Sequence, residues 1–127
     1  MIPSQDLLVI CVDFDGVLHR YDHYRGVDVF NRPVDGASEG MQYLHNQGHT
    51  LILWTTRPIT EKLKAWLAIH GIPIDYYNEN PNRVATGQLD PRKPVADIYL
   101  DDRGITFEGD WPRIIHVIEN FKVWYRR

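Results

Sequence analysis

The chain has 127 residues, 43% of them apolar and 24% charged, with a formal net charge of -3 and one cysteine. That length suits one domain, residues 1–127, able to bury a core without disulfides or a structural metal. The mild negative charge disfavours a general nucleic-acid binder, the lone cysteine forbids an internal disulfide and suits a reducing cytoplasm, and no apolar segment approaches the ~20 residues of a membrane span. The N-terminus lacks the basic-then-apolar pattern of a signal peptide.

Leu7 to Val12 form a continuous apolar run, and residues 7–13 read as a fully buried strand. Asp13-Phe14-Asp15-Gly16-Val17-Leu18 follows directly. Residues 19–34 are polar and aromatic and read as an irregular excursion, a short hairpin at most. Asp35 is placed to cap a helix running to about Asn46, with Ala37, Met41 and Leu44 on one face and Gly48 as its stop. Thr50 to Trp54 is the second buried strand. A second helix opens at Pro58 to Thr60, with Leu63, Trp66, Leu67 and Ile69 apolar and Gly71 ending it. Ile72 to Tyr77 reads as a third strand, and residues 78–95 as a polar loop rich in Asn and Pro. Ile98 to Leu100 lies in a fourth strand that ends in Asp101-Asp102. Asp110 caps a last helix, which tolerates Pro112 in its first turn and buries Trp111, Ile114, Ile115 and Ile118.

Continuous apolar strands alternating with amphipathic helices predict an α/β fold with a parallel sheet covered on both faces, a three-layer α/β/α Rossmann-like arrangement. Ligands of such folds bind beyond the carboxyl ends of the strands, and the polar motifs gather there. Asp13 and Asp15, one residue apart where the strand ends, can converge on one space because Gly16 turns the chain. Two carboxylates so close repel, a bound cation relieves this, and magnesium suits oxygen ligands beside phosphate. A plain turn is the competing reading of Asp and Gly. Thr55, with a neighbouring backbone N–H, can hold a phosphate oxygen, and Arg57 can add charge. Lys93, in Pro91-Arg92-Lys93-Pro94, can neutralise a carboxylate nucleophile and a phosphoryl group. Asp101 and Asp102, costly to bury unpaired, are most simply explained by a metal at the sheet edge.

Together these motifs resemble the haloacid dehalogenase superfamily of aspartate-dependent phosphotransferases. Asp13-Phe14-Asp15-Gly16-Val17 matches the first motif, Thr55 the second, Lys93 followed by Pro94 the third, and Asp101-Asp102 the fourth. They occur in the family's order and span residues 7–108. The resemblance implies a magnesium-dependent phosphomonoester hydrolase. Asp13 would attack phosphorus and form an aspartyl-phosphate. Asp15 would protonate the leaving oxygen and then activate water. Thr55 and Thr56, with Lys93, would bind phosphate. Magnesium (Mg2+) would be held by Asp13, the backbone carbonyl of Asp15, and the Asp101-Asp102 pair, with Asp102 favoured as the direct ligand.

Family members often insert a cap domain after the first motif or before the Lys. Residues 19–34 and 78–92 are too short to hold one, so the chain resembles a capless member. Its open site would admit a phosphorylated small molecule or an exposed phosphate on a macromolecule, and a second subunit could serve as a lid. His19, Arg20, Tyr21, His23, Tyr24, Asn78, Glu79, Asn80 and Asn82 sit where specificity would lie, although each reads more simply as a solvated loop residue. Cys11 reads as an inert core thiol, and the histidines form no convincing metal cluster. The tail Phe121–Arg127 is expected to dock Trp124 on the core, with base stacking as the weaker reading. Two further functions stand beside phosphomonoester hydrolysis: a catalytically weak phosphate-binding or regulatory domain, and a nucleic-acid-end phosphatase. A bacterial receiver domain is rejected, because there the acidic pair follows the first strand, whereas here it comes last.

Overall fold

Four parallel strands form the sheet of this computed structural model, which describes residues 7–83 and 93–127. The strands are β1 (Val9–Val12), β2 (Thr50–Leu53), β3 (Tyr76–Tyr77) and β4 (Ile98–Leu100). Three α-helices, α1 (Ala37–Asn46), α2 (Glu61–Ile69) and α3 (Trp111–Glu119), are joined by a closing 3-10 turn, Trp124–Arg126. The fold is α/β. Among the described residues no helix is long and apolar enough to cross a membrane.

The strand order is β3-β2-β1-β4. The chain steps outward from β1 to β2 to β3, then returns to place β4 on the other side of β1. The crevice beyond β1 and β4 is therefore the point where strand order reverses, the usual ligand position in such sheets. Alternation sends Ile10 and Val12 of β1, with Leu51 and Leu53 of β2, to one face. There they join Met41 of α1 and Leu63, Trp66 and Leu67 of α2 in the main core. Ala37 and Leu44 pack against this cluster as expected. Cys11 and Ile52 point to the opposite face and are also buried. Burial, and then the charge of Asp13, push the Cys11 thiol up to about 12, which keeps it protonated and inert.

Several elements depart from expectation. Asp35 does not cap α1: Gly36, with φ 84°, takes the cap position without a side-chain bond, and Asp35 pairs instead with Arg20 at 3.1 Å. Ile69 is 78% exposed, because at 100° per residue it points roughly 110° away from the mean direction of Leu63, Trp66 and Leu67. The third strand shrinks to two residues. Pro73 has no N–H to give a ladder, and the Asp75 carboxylate accepts the Leu51 amide at 2.7 Å where a strand would have paired. Thr60 and Asp110 do cap their helices, accepting from the amides of Leu63 and Arg113.

The fourth strand and the last helix are less covered than their sequences suggest. β4 is an edge strand bonded to β1 alone, and all three of its residues are exposed. Of the four residues expected on the buried stripe of α3, Ile114 is buried, while Trp111, Ile115 and Ile118 are exposed. α3 follows an edge strand, beyond which the described sheet has no further strand to pack against.

Residues 19–34 are irregular, as expected, and closed at the base by hairpin-like bonds. Arg20 donates to the Arg32 carbonyl at 3.0 Å and Val34 to the Leu18 carbonyl at 2.8 Å. Residues 84–92, which include Pro91, Arg92 and half of the expected polar loop, lie outside the described residues.

Candidate active site

Parallel pairing sets Val12 of β1 opposite Leu100 of β4, so the residues that follow, Asp13 and Asp101, leave the sheet side by side. The Asp13 amide donates to the Leu100 carbonyl at 2.9 Å and extends the ladder one step. The Asp13 carboxylate turns back to accept the Phe14 amide at 2.8 Å. Asp13, Asp101 and Asp102 each offer an oxygen, and these three atoms lie within 4.8 Å of one another.

Gly16 makes this approach possible. Its φ is 84°, and a Cβ there would overlap the Asp102 carboxylate and press on the Tyr125 ring. Any other residue would both strain the turn and push the acidic pair away from Asp13.

A cavity of about 390 Å³ opens above the strand ends. Asp13, Asp15, Thr55, Thr56, Asp101 and Asp102 line it, together with Tyr21, Trp54 and Arg103. Six of the seven residues expected in the site thus surround one space. Lys93 does not line it; its ammonium lies over the Tyr99 ring, 4.5 Å from the centroid. Trp54 and Arg103 were not singled out as site residues, since a strand tryptophan and a turn arginine carry no motif signal.

Asp13 and Asp15 have opposite surroundings. Burial, reinforced by the negative charges of Asp101 and Asp102, pushes Asp13 up to about 8, although the Phe14 amide works against the rise. Asp102 is also raised, by burial first and then by Asp101. For Asp15, burial would raise the value, but its partners outweigh it and hold the carboxyl below the usual range. His19 Nδ1 lies 2.9 Å from Oδ1, and Arg57 Nε donates to Oδ2 at 2.8 Å. The Asn31 amide donates to His19 Nε2 at 2.7 Å. That bond needs a lone pair on Nε2, which places the ring proton on Nδ1, facing Asp15.

Arg57 is thus engaged with Asp15 and does not line the main cavity. It is 6% exposed, donates also to the carbonyls of Gly26 and Val27, and lies over the rings of Phe14, Tyr24 and Phe30. His19 stacks on Phe14 with centroids 4.9 Å apart, and the Trp66 indole fixes the same loop by donating to the Asn31 carbonyl. The sequence signal for this network was weak, because its members come from residues 15–31 and 57 and meet only in the fold.

Thr55 is held from two sides. Its amide donates to Asn78 Oδ1 at 2.8 Å, and its hydroxyl oxygen accepts the Arg57 amide at 3.1 Å, leaving the hydroxyl proton free to donate into the cavity. Asn78 thus supports the site without lining it, and Asn80 is a buried fold residue that donates to the Val95 carbonyl. Tyr21 lines the main cavity and also a neighbouring one of about 200 Å³, which His19, Arg20, His23 and Arg25 share.

The three clustered acids fit a hard cation. Their donors are all carboxylate oxygens, and Asp13 and Asp102 carry values raised by burial first and then by the neighbouring acids. Asp15 contributes no side-chain oxygen to this group, since both of its oxygens are engaged by His19 and Arg57.

No family model and no curated protein matches the chain. Among solved structures, a conserved protein from Bacteroides thetaiotaomicron is similar, with 28% identity and a TM-score of 0.63 over 94% of this chain and 96% of that one. The likeness supports the α/β fold along nearly the whole length.

Proposed function

We propose that the protein is a magnesium-dependent phosphomonoester hydrolase of the haloacid dehalogenase type, capless and Rossmann-like, working through an aspartyl-phosphate. The observation that carries this reading is the meeting of Asp13 with Asp101 and Asp102 at the point where strand order reverses, beneath a cavity that Thr55 and Thr56 also line.

A carboxylate cannot readily approach an anionic phosphate unless positive charge screens both. Asp13, Asp101 and Asp102, with the backbone carbonyl of Asp15, would hold a magnesium ion. Bound there, it supplies that screening and keeps Asp13 ionised. An Asp13 oxygen then bonds to phosphorus as the bond to the leaving oxygen breaks. The Thr55 hydroxyl, fixed by Asn78 and the Arg57 amide, donates to a phosphoryl oxygen, with Thr56 beside it. In the second half Asp15 takes a proton from water, whose oxygen bonds to phosphorus as the Asp13–phosphorus bond breaks. Asp15, held ionised by Arg57 and His19, is prepared for that base role. The Lys93 ammonium lies over the Tyr99 ring and does not line the cavity.

The ionised state of Asp15 also favours a second reading, a phosphate-binding domain with slow turnover. A carboxylate without a proton cannot assist departure of an alkoxide, although a good aryl leaving group needs no such help.

The test is release of phosphate from an aryl phosphate by purified protein with and without magnesium. Turnover that needs magnesium and is lost in Asp13→Asn supports hydrolysis. Absence of turnover across aryl and alkyl esters, with phosphate still bound, supports the slow binding domain.

A further inference from the structure

Three consecutive residues of the C-terminal turn bond to the loop after β1 and to the acidic pair after β4. Val123, buried at the start of the turn, anchors it. Trp124, expected to dock on the core, is instead half exposed, and its indole donates to the Gly16 carbonyl at 2.8 Å. The Tyr125 hydroxyl donates to Asp102 Oδ2 at 3.2 Å and lies 3.4 Å from Arg103 Nη2, which donates to it. Arg126 donates to the Asp22 carbonyl at 2.7 Å. The turn therefore ties the loop after β1 to the acidic pair after β4.

We propose that Tyr125 is a positioning residue that fixes the Asp102 carboxylate for cation binding. A carboxylate at the end of an exposed edge strand is free to rotate, and a rotated carboxylate holds a cation poorly. The Tyr125 hydroxyl occupies one side of Oδ2, Arg103 orients that hydroxyl, and Gly16 leaves room for the carboxylate and the ring together. Hydrogen bonds behind a metal ligand act in this way, and their loss typically weakens metal binding ~10–100-fold. This inference rests on the cation site proposed above.

The test uses Mn2+ as the probe, titrated into the full chain and followed by electron paramagnetic resonance. Tyr125→Phe keeps the ring and removes the hydroxyl. It should bind Mn2+ about tenfold more weakly, with the Tm of the metal-free protein little changed. In an Asp102→Asn background the same substitution should cost nothing further, because Tyr125 acts through Asp102; a purely structural role would cost the same in both backgrounds. Unchanged Mn2+ affinity in Tyr125→Phe, or a collapsed metal-free Tm, would overturn the proposal. The underlying cation site is judged separately: if Asp13→Asn and Asp102→Asn bind Mn2+ as tightly as the unaltered protein, that site is wrong. If they lose binding while Tyr125→Phe does not, only the role of Tyr125 falls.

Discussion

Asp13 and Asp15 leave the same strand two residues apart, yet the fold gives them opposite electrostatic settings. Asp13, buried and facing other acids, is pushed up to about 8, whereas Asp15 faces a guanidinium and an imidazole N–H and is pulled below its usual range. Pairs of acids driven apart in this way mark a division of labour. Among the described residues no basic side chain pairs with Asp13, and in the reading proposed above a cation would complete it. Asp15 already has its partners and stays ionised without one. The separation arises because the two side chains meet different elements: β4 brings the acids to Asp13, while the loop after β1 and the segment after β2 bring His19 and Arg57 to Asp15.

The largest expected effect tests the Asp13 half. Asp13→Asn should lower magnesium-dependent phosphate release by ~10⁴-fold or more, the scale seen when a covalent nucleophile is removed. Retention of more than a tenth of the rate would break the assignment.

Next comes Asp15→Asn, expected to lose about 10³-fold, within the range for a general base. Comparing aryl with alkyl phosphates separates its two roles. A similar loss on both indicates the base role alone, and a much larger loss on alkyl esters indicates that Asp15 also delivers a proton.

Arg57→Met should destabilise the protein at pH 7 by about 3 kcal/mol, since it strands a largely buried carboxylate. The sign with pH follows from the lowered Asp15 value. The stability this pair contributes is present above the unfolded pKa of about 4 and is lost as pH falls through the folded value. Thermal melts should therefore show the deficit of Arg57→Met shrinking below pH 4, and a constant deficit would mean that packing on Phe14, Tyr24 and Phe30 dominates.

The last effect concerns Asp13 in metal-free protein and bears on stability, not rate. Its raised value means that between about pH 4 and about 8 the folded state keeps a proton which the unfolded state has released, so stability falls as pH rises through that window. Asp13→Asn should remove this slope, raising the Tm at pH 8 and hardly at all at pH 4. Magnesium added to the unaltered protein at about 100 times its Kd should contribute ~2.7 kcal/mol at pH 8, and should do little for Asp13→Asn.

Much of the frame was legible in the chain. Continuous apolar runs gave β1 and β2, which are central and buried on both faces, the second helix opened just after Thr60, and Asp110 capped the last helix as expected. The same rule overstated β4 and α3, because an apolar run does not reveal whether a strand has one neighbour or two. Tyr125 was not foreseen at all: it lies 23 residues from Asp102 in the chain and carries no motif.

By itself the sequence determined which residue types stand at which strand ends: Asp13 and Asp15 after the first, Thr55 and Thr56 after the second, Asp101 and Asp102 after the fourth. Those positions depend on local periodicity and turn chemistry, which short segments carry within themselves. Only the tertiary structure decided which of them meet. Register between β1 and β4 joined Asp13 to the acidic pair, burial aimed Arg57 at Asp15 instead of into the cavity, and the returning C-terminal turn set a tyrosine behind Asp102. Each of these depends on contacts between residues distant in the chain, where packing, charge and desolvation act together.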